Sequence, residues 1–246
     1  MPQERPPKDR SVEAEKIGQD ALTVDIKRLL ENEGARPLTR NELIQDIGRH
    51  RADARTDGLT GLYNKAEFKN RLAGEVALAW RQHRPLAVLI LDGDHFKRVN
   101  DTHGHPIGDE TLRLLATVLK SAVRSSDVVC RWGGEEFAVI LPDTTLDGAV
   151  KAAQKIRTAV EQTPFVFGEH DVDSTQPGGK FTVSVGATSY PPDQGVYETR
   201  AHGREEISGY QKEIADTLTA TADAALYDAK KTRNMASART YGSTGK

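Results

Sequence analysis

The sequence predicts an α+β protein, because apolar runs of strand length alternate with segments whose apolar residues recur at helical spacing, with glycine-rich turns between them. Leu86-Ala87-Val88-Leu89-Ile90-Leu91 reads as a buried strand. Asp127 to Arg131 and Phe137 to Leu141 read as two paired strands around Gly133-Gly134. Phe181-Thr182-Val183-Ser184-Val185 alternates as a strand should and is expected to end at Gly186. Helix faces are marked by Phe68, Leu72 and Val76, by Leu112, Leu115, Leu119 and Ala122, by Ala149, Ala153, Ile156 and Val160, and by Leu218, Ala222, Ala225 and Ala229. These stripes are core and carry no chemistry.

The flanking segments differ in character. Residues 1–10, MPQERPPKDR, are charged and proline-rich with nothing to bury, and are expected to be disordered. A helical extension is expected over residues 11–54. Its first helix runs from about Val12 to Glu31, with Ile17, Ala21, Val24 and Leu29 in loose helical spacing. Its second opens on a capping box, Thr39 with Glu42, and a Leu38–Leu43 staple, and leads into a main domain over residues 55–242. Between Gly186 and Ala222, Pro191-Pro192-Asp193-Gln194-Gly195 and a polar run to about Ser208 read as a mobile loop, a partner surface or a lid, and the composition favours the loop.

Composition narrows the class of function. A length of 246 residues allows one catalytic domain with a short extension. The formal net charge of -2, with basic residues dispersed, gives no footprint for duplex nucleic acid. The single cysteine, Cys130, sits in a strand pattern and reads as a buried thiol in a reducing compartment. No apolar run approaches the roughly 18 residues of a membrane span, and the N-terminus lacks the apolar core of a signal peptide, so a cytoplasmic location is expected.

Chemistry concentrates in two places. Arg131-Trp132-Gly133-Gly134-Glu135-Glu136-Phe137 sets two glycines and two carboxylates between strands. Glycines let a backbone approach phosphate without a Cβ in the way, and carboxylates supply the hard oxygens that Mg²⁺ prefers, although most Gly-Gly hairpins are purely structural. Upstream, the apolar strand runs into Asp92-Gly93-Asp94-His95-Phe96-Lys97, where Asp92 and Asp94 need a cation, a basic side chain or solvent as partner. Asp92 and Glu135 could close on one ion; alternatively these acids cap the following turn.

These stretches resemble the GGDEF-domain diguanylate cyclases, with Gly133-Gly134-Glu135-Glu136-Phe137 standing as the GGEEF form of the signature. The resemblance begins at Asp57-Gly58-Leu59-Thr60-Gly61-Leu62-Tyr63-Asn64, continues through DGDHFKRVNDTHGHPIGD over residues 92–109 and ends near Ala222 to Lys230. It implies a central antiparallel sheet flanked by helices, akin to nucleotide cyclases and polymerase palms. The implied activity is condensation of two GTP into cyclic di-GMP by a homodimer, with release of pyrophosphate and dependence on Mg²⁺ (or Mn²⁺). A catalytically silent cyclic di-GMP-binding module is the alternative.

The same resemblance implies roles residue by residue. Asp92, the Gly93 carbonyl and Glu135 would bind the metal. Glu135 or its neighbour Glu136 would accept the proton, and Lys97 would stabilise charge on phosphate. Asn100 and Asp109 would select guanine, because a buried carboxylate facing adenine's unprotonated N1 loses its hydrogen bond, at a cost on the order of a few kcal/mol. His105, Gly133 and Gly134 would lie against substrate, and Lys230 and Arg233 would reach the terminal phosphates. Arg124 and Asp127 match an RxxD product-inhibition site, whose helper arginines are here Lys151 and Lys155. A His103-x-His105 zinc site competes with this pattern and is not expected. Two departures stand out: Gly93 replaces an aliphatic residue, and the closing A-K-x-x-G-R-N motif reads Ala229-Lys230-Lys231-Thr232-Arg233-Asn234, one position and its glycine short.

Overall fold

The structure, a computed structural model, describes residues 55–191 and 204–243. All of them belong to the second of two units into which the chain divides, Ala52–Lys246. The tail expected at 1–10 and the helices expected within 11–54 lie outside the described residues.

Strand β1 (Leu86–Gly93) is buried along its whole length because both of its faces are covered. Ala87, Leu89 and Leu91 pack toward α3 (His105–Ala122) and α4 (Leu146–Gln162). Leu86, Val88 and Ile90 pack toward α1 (Lys65–Gln82) and α6 (Arg204–Lys230). A strand covered on both faces has no polar positions to alternate with, hence the unbroken apolar run. The remaining strands are β2 (Val128–Gly133), β3 (Glu136–Pro142), the short pair β4 (Val166–Phe167) and β5 (His170–Asp171), β6 (Val183–Tyr190) and β7 (Ala236–Ala238). The short helices are α2 (Phe96–His103) and α5 (Val172–Thr175). The main sheet has the order β2-β3-β1-β6-β7. It is antiparallel as expected except at its edge, where β7 runs parallel to β6. Among the described residues no helix is long and apolar enough to cross a membrane.

Two expectations are corrected. The strand does not end at Gly186 but starts at Val183 and continues to Tyr190, with Gly186 opposite Ile90. A Cβ at Gly186 would collide with Ala222 O and Leu226 N of α6, so the glycine marks the place where a helix backbone lies directly on the sheet. The polar run expected to be loop as far as about Ser208 is already helical from Arg204. Residues 192–203 lie outside the described residues.

Because backbone rather than a flexible side chain blocks that Cβ, Gly186→Ala should cost about 3 kcal/mol of stability, read as a lowered denaturant midpoint. Gly74→Ala on α1, where a Cβ meets nothing within 4 Å, should be neutral or mildly stabilising.

Candidate active site

The antiparallel register brings the acidic positions together. Asp92 lies opposite Glu136 across β1 and β3, and the Gly93 amide donates to the Glu135 carbonyl at 3.2 Å. The β2–β3 turn needs its glycines for conformation: Gly133 has φ 152° and Gly134 φ 54°, and a Cβ at either would meet open space. Arg131 braces this turn. Its Nε and Nη2 donate to the Gly134 carbonyl at 3.1 and 2.8 Å, while Nη1 reaches Asp57 Oδ1 at 3.0 Å. Burial alone would raise the Asp57 carboxyl, but hydrogen bonds from Thr60 and Arg131 outweigh it and hold the group below its ordinary range. The opening motif and the GGEEF hairpin are thus joined by one ion pair.

Asp92 and Asp94, similar in sequence, have different partners. Asp92 pairs with Lys230 Nζ at 2.7 Å. Burial pushes its carboxyl up to about 6; Lys230 opposes this, and the charges of Glu135 and Glu136 add to it. Asp94 is buried and accepts from Thr182 Oγ1 at 2.8 Å, Ser184 Oγ at 2.7 Å and the Asn234 amide at 2.8 Å. Among the described residues its partners are three neutral donors from β6, the segment before it and the chain after α6.

Helix α2 comes directly after them. It is entered through His95 at φ 55°, with Phe96 and Val99 buried and Lys97 85% exposed on its side chain, paired with Asp101 at 2.9 Å. Gly104, at φ 83°, turns the chain into α3. There Gly108 leaves the room that the Asn100 side chain occupies, since a Cβ would collide with Asn100 Oδ1. Asn100 therefore lies against the turn that carries Asp109. Asp109 itself is exposed, not buried as expected, because none of the described residues covers it.

A cavity of about 460 Å³ gathers much of the predicted site: Asp92, Gly93, Lys97, Glu135, Lys230 and Arg233 line it, together with His95, Phe96, Arg98 and Asp101. Asn100, His105, Asp109, Gly133, Gly134 and Glu136 lie outside its lining. Sequence reasoning missed His95, Arg98 and Asp101. For Asp101 the signal was available, as it sits one helical turn from Lys97. Burial first, and then the nearby Arg233 cation, hold the His95 imidazole below its ordinary value.

Basic side chains outnumber acidic ones in this lining, Lys97, Arg98, Lys230 and Arg233 against Asp92, Asp101 and Glu135. That excess of a single positive charge leaves a polyphosphate mostly uncompensated. Among the described residues no three His, Cys, Asp or Glu side chains gather to hold a metal by themselves. Two carboxylates in the lining of a basic cavity do suit Mg²⁺, which is typically held by one or two carboxylates together with substrate phosphates. His103 does not pair with His105: its Nε2 lies 3.3 Å from Thr175 Oγ1 and its ring packs on His170.

At the chain end of α6, Arg233 and Asn234 adopt φ 60° and 46°, a left-handed conformation that costs on the order of 1–2 kcal/mol for a residue such as Arg233. The Arg233 amide nonetheless closes the helix on the Ala229 carbonyl at 2.9 Å.

Arg124 and Asp127 stand elsewhere, in the turn from α3 to β2. The Asp127 carboxylate accepts from the Arg124 amide at 2.8 Å, and the Arg124 guanidinium makes no ion pair with any described residue. Both line a second cavity of about 440 Å³, together with Gly61, Tyr63 and Lys120, and it shares no lining residue with the first. Lys151 is paired with Asp147 at 2.6 Å. Cys130 is buried, and burial pushes its thiol up to about 12.

Comparison with known proteins bears on the family and the fold. The family model described as diguanylate cyclase, GGDEF domain, matches residues 54–206. The chain is 42% identical over 161 residues to the response regulator PleD of Caulobacter vibrioides, covering 63% of this chain and 36% of PleD. It is 38% identical over 168 residues to the diguanylate cyclase DgcP of Pseudomonas aeruginosa, covering 64% of this chain and 24% of DgcP. It therefore spans only about a third or less of these relatives' length. Among solved structures, the coiled coil and GGDEF domain of DgcB from Caulobacter crescentus, in complex with c-di-GMP, matches with a TM-score of 0.65 and 27% identity, over 90% of this chain and 99% of that one.

Proposed function

The chain belongs to the GGDEF-domain family of diguanylate cyclases, and from this premise we propose that it condenses two GTP into cyclic di-GMP. The observation that carries the reading is the cavity in which Asp92 and Glu135 face Lys230, Arg233 and Lys97. In the reaction each ribose 3′-hydroxyl attacks the α-phosphorus of the other nucleotide in line. A new P–O bond forms at each, the bond to pyrophosphate breaks and the hydroxyl proton leaves. Positioning and charge neutralisation must supply most of the rate.

Asp92, the Gly93 carbonyl and Glu135 would hold Mg²⁺ or Mn²⁺, and such an ion neutralises phosphate charge and acidifies the attacking hydroxyl. Lys230 gives up Asp92 and Lys97 gives up Asp101 to meet the phosphates, each exchanging one anion for another. Arg233 grips the terminal phosphates. Glu135 accepts the proton, with Glu136, opposite Asp92, as the rival, because a metal-bound carboxylate is a weak base. The glycine turn, kept in shape by Arg131, leaves its backbone open to phosphate. Asn100 and Asp109 read guanine, whose base itself covers the exposed Asp109, and His105 lies on the substrate side. The reaction is placed in the cytoplasm, where GTP is.

Each domain holds one GTP, so two must meet face to face and the working unit is a symmetric homodimer. Activity per molecule should rise with protein concentration and then level off; a specific activity independent of concentration down to nanomolar protein would contradict the dimer. We further assign Arg124 and Asp127 to product inhibition, with product favouring a non-productive arrangement of the two domains. Asp127 also closes its own turn, so Arg124→Ala is the cleaner probe. It should relieve inhibition by cyclic di-GMP and raise the yield of long incubations, with initial rates changed by less than about twofold. If cyclic di-GMP does not inhibit the unmodified protein, the assignment fails, and the non-forked Lys151 and Lys155 become the reason.

A further inference from the structure

Arg233, which lines the cavity, stands at φ 60°, a conformation that its own residue type disfavours. The next residue, Asn234, is held from two sides. On one side its amide donates to the buried Asp94 at 2.8 Å, tying the turn to the end of β1. On the other its side chain is gripped by α4: Nδ2 donates to Glu161 Oε1 at 2.7 Å, and Oδ1 accepts from Arg157 Nη1 at 2.9 Å. Arg157 also reaches Glu161 Oε2 at 2.9 Å, closing a three-membered ring of contacts. The hydrogen bond from Asn234 is the largest influence on the Glu161 carboxyl and, with Arg157, holds it below its ordinary range despite some opposing burial. The grip is therefore a charged one, stronger than a neutral amide contact. Neither Glu161 nor Arg157 lines the cavity.

We propose that Arg157 and Glu161 are positioning residues: through Asn234 they hold Arg233 in its left-handed conformation, doing from α4 what a glycine would do locally, and so aim Arg233 at the nucleotide's phosphates. The inference rests on the nucleotide-binding reading of the cavity.

The test uses the full chain with Mg²⁺ and a GTP analogue carrying a methylene between the α- and β-phosphorus, which cannot release pyrophosphate, with affinity read by calorimetry. Glu161 is partly exposed, with 37% of its side chain accessible, so its replacement leaves the core intact. Glu161→Ala should weaken analogue binding about five- to tenfold, while Glu161→Gln, which keeps an acceptor for Asn234 but loses the charge, should weaken it by a smaller factor. In an Arg233→Ala background the same Glu161→Ala change should alter affinity by less than about twofold, since the aimed group is gone. A merely structural role would lower affinity equally in both backgrounds, and that result, or an unchanged affinity in Glu161→Ala, overturns the proposal. An unmodified chain that does not bind the analogue overturns the nucleotide reading itself. A chain that binds it but is indifferent to Glu161 overturns only the positioning role.

Discussion

Glu135→Gln and Asp92→Asn should each lower cyclic di-GMP synthesis by at least about 100-fold, with the fold intact. Each change removes one anionic oxygen donor from the cavity lining while nearly preserving side-chain volume. Asp92→Asn should also differ from an ordinary loss-of-function change in what it does to stability. Burial raises the Asp92 carboxyl from 3.8 to about 6, so its charged form is disfavoured in the folded state. Stability is then highest below the unfolded value and falls as the pH rises through the folded one. At neutral pH without divalent cation, Asp92→Asn should therefore be as stable as the unmodified protein or more so, with the gain disappearing below about pH 4. Thermal unfolding across that range, beside turnover, checks both halves. Near-normal turnover in either variant would remove these residues from the metal site.

Asp109→Ser should shift base choice, raising kcat/KM for ATP relative to GTP by about 100-fold. In the proposed role the carboxylate would accept from guanine N1 and N2, and would only repel adenine's unprotonated N1. Asn100 is held against Gly108, so the remaining reader stays in place when Asp109 is lost. Competition between the two nucleotides in one reaction measures the ratio directly. A variant that loses GTP turnover and gains none with ATP would show that shape rather than this carboxylate sets selectivity.

Much of this site was legible because its signals are local. An apolar strand buried on both faces ends in acids, and a hairpin carries glycines beside carboxylates; neither pattern needs a distant contact to be noticed. What was misread depends on partners far along the chain. Gly186 looked like the end of a strand because a glycine interrupts an apolar pattern, whereas its reason is the backbone of α6, about which the neighbouring residues say nothing. Asp94 could not be separated from Asp92 without Thr182, Ser184 and the Asn234 amide, all remote in sequence. The beginning of α6 was hidden for another reason: its first turns are polar, and helical spacing of apolar residues emerges only toward Leu218. The link from Arg157 and Glu161 to Asn234 spans more than seventy positions and has no local signature at all.

Whether this chain makes cyclic di-GMP or only binds it is decided by incubating the purified protein with GTP and Mg²⁺, identifying the nucleotide product by mass spectrometry and counting the pyrophosphate released. A cyclase yields cyclic di-GMP with two pyrophosphates per product, and the yield is lost when the divalent cation is chelated; this is the expected result. Unchanged GTP from a protein that still binds cyclic di-GMP would contradict it and make the chain a receptor.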